Sequence, residues 1–156
     1  MIRPSTANDV EKILEIWLAG SRQSHNFIKE EYWQKMLPIV RKYYLPNTES
    51  YVFEDKHQIK GFISTIDDHH IGALFVSPQY QRQKIGTKLI KYIKNIHPVL
   101  SLKVFAKNRN ALRFYQKNGF KIMAEQTDES TKEQELLLSW VMECKTGHHK
   151  RYFSDS

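Results

Sequence analysis

The chain has 156 residues, and 24 Lys and Arg against 17 Asp and Glu give it a formal net charge of +7. That length suits one domain rather than two, no apolar run approaches the ~20 residues of a membrane-spanning helix, and Met1 to Ser5 lacks the apolar middle of a secretory signal. The only cysteine, Cys144, permits neither an internal disulfide nor a multi-cysteine zinc site.

The expectation is a soluble cytoplasmic protein whose basic surface favours anionic partners. Direct nucleic-acid binding is disfavoured, because the basic residues are scattered and no reading element stands out.

Ile2 to Pro4 reads as a short edge strand, followed by Thr6 to Asp9 with a capping hydroxyl and an acid three residues on. Val10, Ile13, Leu14, Trp17 and Leu18 then recur at helical spacing, with Gly20 as a stop and Ser21 to Phe27 as a polar loop. A second helical region runs from Ile28 to about Tyr44 and should break or kink at Pro38. After Ser50 the period changes. Tyr51 to Phe53, Lys60 to Ile66 and His70 to Val76 are rich in β-branched and aromatic residues, and Asp55 to Gln58 and Asp67 to His69 have hairpin length, so an antiparallel meander is expected. Ile85 to Ile96 returns to helical spacing and Val99 to Phe105 reads as a strand. Asn108 to Lys117 is a capped helix ending at Asn118-Gly119, and strands near Phe120 to Gln126 and Glu135 to Met142 complete the domain. The order β-α-α-β-β-β-α-β-α-β-β describes an α+β domain over 1–144, with a polar basic tail over 145–156.

Between a strand and a helix lies the segment Val76 to Thr87. The first amides of a helix have no intrahelical partner and carry the positive end of its dipole, so a pyrophosphate can accept from several at once. Gly86 permits close backbone approach. Arg82 and Lys84 add charge, and Thr87 can donate its hydroxyl.

This segment resembles the pyrophosphate-binding motif of GNAT acetyltransferases, Gln/Arg-x-x-Gly-x-Gly/Ala, with Gln81 first and Gly86 last. Lys84 stands at the first glycine position, so either the backbone avoids positive φ there or the loop carries strain; an outward Lys84 side chain is expected. Asn108 to Phe120 looks like a second GNAT segment, Asn-x-x-Ala-x-x-Phe-Tyr-x-x-x-Gly-Phe, and matches at every fixed position. The resemblance covers Met1 to about Met142. It extends to small bacterial N-acetyltransferases of the YiaC and YjaB type through Ser24 to Ile28 and Tyr32, a branch associated with acetylation of protein lysines.

The resemblance implies the GNAT fold: a largely antiparallel sheet of about seven strands, helices on both faces, and a splayed central pair formed by His70 to Val76 and Val99 to Phe105. It implies acetyl-coenzyme A as cosubstrate and no metal. The pantetheine arm would lie beside Leu74, Phe75 and Val76, with the Val76 N–H donating to the thioester oxygen. The further cofactor contacts implied are Gln81, Arg82, Gln83, Lys84, Ile85, Gly86, Thr87, Asn108, Ala111 and Tyr115. The acceptor would be a primary amine, a protein lysine, with a polyamine or aminoglycoside-like amine as the enzymatic alternative. A non-catalytic coenzyme A sensor or nucleic-acid-associated module is the alternative of another class. A monomer or weak homodimer is expected.

The chemistry sets its own demands. A lysine of pKa ~10.4 is neutral about once in two thousand molecules at pH 7, and the leaving thiolate needs an acid. Tyr115, two helical turns from Asn108, is the candidate general acid, with a core tyrosine as the structural alternative. His25 lies in the loop that lines the acceptor side in this family. It is the candidate base, or else it orients the loop. Asp67 to His70 holds possible proton acceptors but equally reads as a solvated turn. Asn108 either contacts the cofactor or caps its helix. Cys144 reads as a small apolar filler, His148-His149 lacks a third metal ligand, and Trp17, Trp33 and Trp140 read as packing residues.

Overall fold

Phe62 and Ile63 are adjacent and both fully buried, yet they belong to different cores, so the strand that carries them must be covered on both faces. A computed structural model of the protein describes residues 1–143 and shows how; Cys144, His148, His149 and the tail from Lys145 lie outside the described residues. The strands are β1 (Ile2–Pro4), β2 (Glu49–Asp55), β3 (Gln58–Ile66), β4 (His70–Val76), β5 (Val99–Phe105), β6 (Lys121–Thr127) and β7 (Gln134–Val141). They form one seven-stranded sheet in the order β1-β2-β3-β4-β5-β7-β6, antiparallel except for β4 and β5.

The helices are α1 (Val10–Ser24), α2 (Glu30–Ile39), α3 (Ile85–Ile96) and α4 (Arg109–Lys117). Ile85, Leu89, Ile90 and Ile93 of α3 and Tyr115 of α4 close one face over Ile63, Leu100, Leu102, Leu136 and Leu138. Ile13 and Ile16 of α1 close the other over Val52, Phe62 and Ala73. The mixed fold, the helices on both faces and the mostly antiparallel sheet agree with the sequence-based expectation. The hairpins do too, although Lys56 and His57 (φ 52° and 64°) make the first turn without the Gly or Asn that two left-handed positions usually select.

Two expectations about the helices need correcting. Gly20 does not stop α1, which runs on to Ser24, so Ser21 to Ser24 are helical rather than loop. Gly20 is there for packing: a Cβ on it would lie 2.3 Å from Cδ1 of Phe75 on β4. Of the break or kink expected at Pro38, the break does not occur: Pro38 sits inside α2, and the path continues through a π-helical turn (Val40–Tyr44) and a 3₁₀ turn (Leu45–Asn47). The carbonyl that Pro38 deprives of a donor belongs to Gln34, an exposed residue, so water can serve it.

The sheet is not continuous at its centre. β4 and β5 pair only at His70↔Ser101 and Ile71↔Leu102, and the strands part from there on. A register shift between Ser64 and Thr65 makes Gly72 the extra residue of a bulge in β4, just where the strands separate. The Tyr44 hydroxyl occupies the space of a Gly72 side chain, 1.5 Å from where its Cβ would stand, so any other residue there requires Tyr44 to move.

Candidate functional site

The gap between the splayed strands opens into a cleft of about 890 Å³. Which backbone groups face it follows from parity. Ser77 N–H donates to Lys60 C=O across β3 at 2.8 Å, so with a period of two the Phe75 amide also turns to β3, while those of Leu74 and Val76 turn into the gap. Phe75 contributes through its ring, on the α1 side. Opposite them, Ala106 N–H donates to Gln134 C=O at 2.9 Å and Ser101 N–H to His69 C=O at 2.8 Å, which turns the backbone edges of Lys103 and Phe105 toward the gap.

Just past the gap β4 ends in a 3₁₀ turn (Pro78–Tyr80) and the chain enters α3. Lys84 is the N-cap residue of α3 and takes the left-handed conformation (φ 62°, ψ 23°) that glycine would adopt at no cost. Arg82 does the same at φ 69°. Strain of roughly 1–2 kcal/mol per residue is therefore stored here, and the Lys84 side chain is exposed, as expected. The first α3 bond runs from Lys88 N–H to Lys84 C=O, so the amides of Ile85, Gly86 and Thr87 have no intrahelical acceptor and point out of the helix start. The two left-handed residues just before them, Arg82 and Lys84, turn the chain sharply into this helix start, where the open amides suit an anion. Gly86 is needed for space as well: a Cβ would come within 3.3 Å of Phe114 Cζ. Gln81 braces the loop, its Nε2 donating to Gln23 Oε1 (3.1 Å) and to Val76 C=O (3.3 Å).

Leu74, Phe75, Val76, Gln81, Arg82, Lys84, Ile85, Gly86, Thr87, Asn108, Ala111, Tyr115 and His25 all line this one cleft; Gln83 does not. Asp67 to His70 lie at the far end of β4. Asp67 and Asp68 form a tight turn with positive φ, and His70 Nδ1 pairs with Ser101 Oγ at 2.9 Å where β4 and β5 still touch.

On the α1–α2 side, His25 sits among aromatic rings, with centroids 5.6 Å from Trp33 and 5.1 Å from Phe105. Asn108 reaches across to it. The Asn108 Oδ1 accepts from Ala111 N–H (3.2 Å), capping α4, which leaves Nδ2 to donate to His25 Nε2 (3.2 Å). Nε2 is thereby an acceptor and the ring hydrogen rides on Nδ1, which is buried without a partner among the described residues. Burial pushes the imidazole down to about 4, so it is neutral at pH 7. Tyr115 is buried between Phe114 and Phe120, and burial pushes its phenol well above the ordinary tyrosine range. Trp17 and Trp33, read from sequence as packing residues, do pack edge to face at 5.8 Å, but both also line the cleft. Lys103, Lys107 and Glu135 line it too and were not singled out in the sequence; an isolated charge in a strand or loop carries no motif.

The model of the Acetyltransferase (GNAT) domain family matches residues 8–137. The chain is 37% identical over 142 residues to the peptidyl-lysine N-acetyltransferase YiaC of Escherichia coli (strain K12), covering 91% of this chain and 94% of that protein. It is 30% identical over 122 residues to the peptidyl-lysine N-acetyltransferase YjaB of the same organism, covering 78% of this chain and 82% of that protein. The solution structure of apo-form YjaB from Escherichia coli superposes with a TM-score of 0.80 at 27% identity, over 92% of this chain and 98% of that one. A PaiA N-acetyltransferase from Thermoplasma acidophilum, solved in complex with coenzyme A, shares the fold with a TM-score of 0.73 at 21% identity, over 90% of this chain and 98% of that one.

Proposed function

The chain belongs to the GNAT acetyltransferase family, and from that premise we propose that it transfers acetyl from acetyl-coenzyme A directly to the side-chain amine of a protein lysine. One observation carries the cofactor half of this reading. The gap-facing amides of Leu74 and Val76 and the open amides of Ile85, Gly86 and Thr87 line the same cleft, so an extended arm joined to a diphosphate meets donors for both parts. Such an arm replaces the strand that β4 lacks on that side. The lysine half is supported by the names and extensive coverage of the two Escherichia coli relatives.

The residues divide the chemistry as follows. The Val76 N–H donates to the thioester oxygen, where negative charge grows as the amine attacks. Arg82 and Lys84 supplement the amide cradle with charge. Tyr115, held protonated by burial, donates to the sulfur as the C–S bond breaks. His25 is read as a positioning residue. Its Nε2 is already committed to Asn108, and a ring whose pKa is pushed down to about 4 is a weak base for an ammonium of pKa ~10.4. Water then carries the amine proton to bulk. A cytoplasmic setting belongs to the same reading, supported by the lone cysteine.

The test is thiol release from acetyl-coenzyme A with an amine panel of lysine peptides, polyamines and aminoglycosides, followed by mass mapping of acetylated peptides. Lysine peptides are expected to be the productive acceptors. Turnover with small amines alone moves the acceptor to that class, and no turnover with any amine overturns the enzymatic reading.

A further inference from the structure

A lysine approaching this cleft meets a field of its own sign, since Arg82, Lys84, Lys103, Lys107 and Arg109 all line it. Glu135 is the one acidic residue in that lining. It is 8% exposed, a degree of burial that carboxylates rarely reach unpaired.

Its place follows from the register of β7. Leu136 and Leu138 turn under α3 and α4, so Glu135 turns to the opposite face. There it lies directly across from Phe105 on β5. The Phe105 ring packs on His25 (5.1 Å) and Phe27 (5.6 Å), which puts the carboxylate on the side of the α1–α2 loop, across the sheet from Tyr115. On β6 its cross-strand partner is Gln126, whose Nε2 donates to Oε1 at 2.7 Å. That neutral amide is the only side-chain partner Glu135 has among the described residues. Two cations lie on this side: Lys107 is engaged by Glu133 at 3.1 Å, and Lys103, two residues before Phe105 on β5 and so on the same face, makes no ion pair with Glu135 among the described residues. One carboxylate oxygen is thus held in place and the other has no cation, in a cavity otherwise lined by positive charge.

We propose that Glu135 is the acceptor-binding residue of the site, its free carboxylate oxygen receiving the ammonium of the incoming lysine beside the splayed strands. The inference rests on the amine-acceptor reading above. A charge-assisted bond from a partly desolvated carboxylate is worth appreciably more than a surface ion pair. It also supplies a selection rule, since a neutral side chain of equal length gains nothing from it. The role is one of binding, so its loss should appear in KM rather than kcat.

The substitution Glu135→Gln removes the charge and keeps the oxygen that accepts from Gln126. With Nα-acetyl-lysine amide as acceptor, the variant is expected to raise KM at least about tenfold with kcat within about threefold. The dissociation constant for acetyl-coenzyme A and inhibition by the neutral Nα-acetyl-norleucine amide should stay unchanged. A KM within twofold of the parent overturns the proposal, as does an equal loss for the lysine and norleucine compounds, which reports structural damage. Should the parent protein acetylate no amine, the amine-acceptor reading falls on its own. Calorimetry of Nα-acetyl-lysine amide with the coenzyme A-loaded protein then decides the role of Glu135: about tenfold tighter binding to the parent supports it, and equal or absent binding in both proteins overturns it.

Discussion

At the scale of single residues, Tyr115 and His25, two of the titratable groups that line the cleft, are tuned in opposite directions by the same cause. Burial disfavours charge, so it raises the phenol of Tyr115 and lowers the imidazole of His25 to about 4. Tyr115→Phe removes only the donor, and turnover is expected to fall at least about tenfold with acetyl-coenzyme A affinity unchanged. Unaltered turnover in the thiol-release assay would end the acid assignment. For His25 the sign is set by the unfolded chain, which binds a proton near pH 6.5 while the folded protein does so only near 4. Stability from this group is therefore fully present above pH 6.5 and is lost as pH falls toward 4, at most about 3 kcal/mol. Thermal melts of the parent and of His25→Gln across pH 7 to 4 should converge in slope only if another group is responsible; a flatter profile for the variant is the expected result. Both candidates were legible in the sequence because they sit in or beside a recognisable segment. The Asn108–His25 bond was not, since 83 positions separate the partners and only folding brings them together.

At the scale of elements, the places where the sequence misleads are those where a residue serves a distant neighbour. Gly20 looks like a helix stop, yet Phe75 of β4 fills the space of its missing side chain. Gly20→Ala gains up to ~1 kcal/mol of helix propensity but overpacks the ring at a cost of roughly 1–3 kcal/mol. The clash wins: the melting temperature should drop by a few degrees, and Phe75→Leu in the same chain should restore it. A rise for the single variant would show that the ring moves freely. Periodicity located α3 and β5 to the residue because Leu89, Ile90 and Ile93 form a single helical stripe and β5 alternates cleanly. It could not disclose the splay, which depends on a bulge at Gly72 and on Tyr44 lying against it. At the start of α3, Gly86→Asp puts a carboxylate and added bulk beside the open amides. Acetyl-coenzyme A affinity measured by calorimetry should fall at least about tenfold, and equal affinity would remove the diphosphate from this helix.

At the scale of the whole molecule, the two faces of the sheet divide the labour. α3 and α4 present amides and Tyr115 from one side, while the α1–α2 loop, Phe105 and Glu135 shape the approach from the other. The sheet itself falls into halves, β1 to β4 and β5 to β7, sewn together by only two cross-strand pairs. A seam of that kind should breathe in the empty protein. Coenzyme A lodged along it would act as a suture, tying two lobes as well as occupying a pocket. Amide hydrogen exchange should slow at Leu74, Val76, Lys103 and Phe105 when the molecule is loaded, and also deeper in β5 and β7 where no ligand atom reaches. Protection confined to the contacting amides would mean that the halves are already rigid without it. If the wider slowing is found, the donor substrate is also the last structural member of the sheet, and the enzyme becomes mechanically whole only when ready to react.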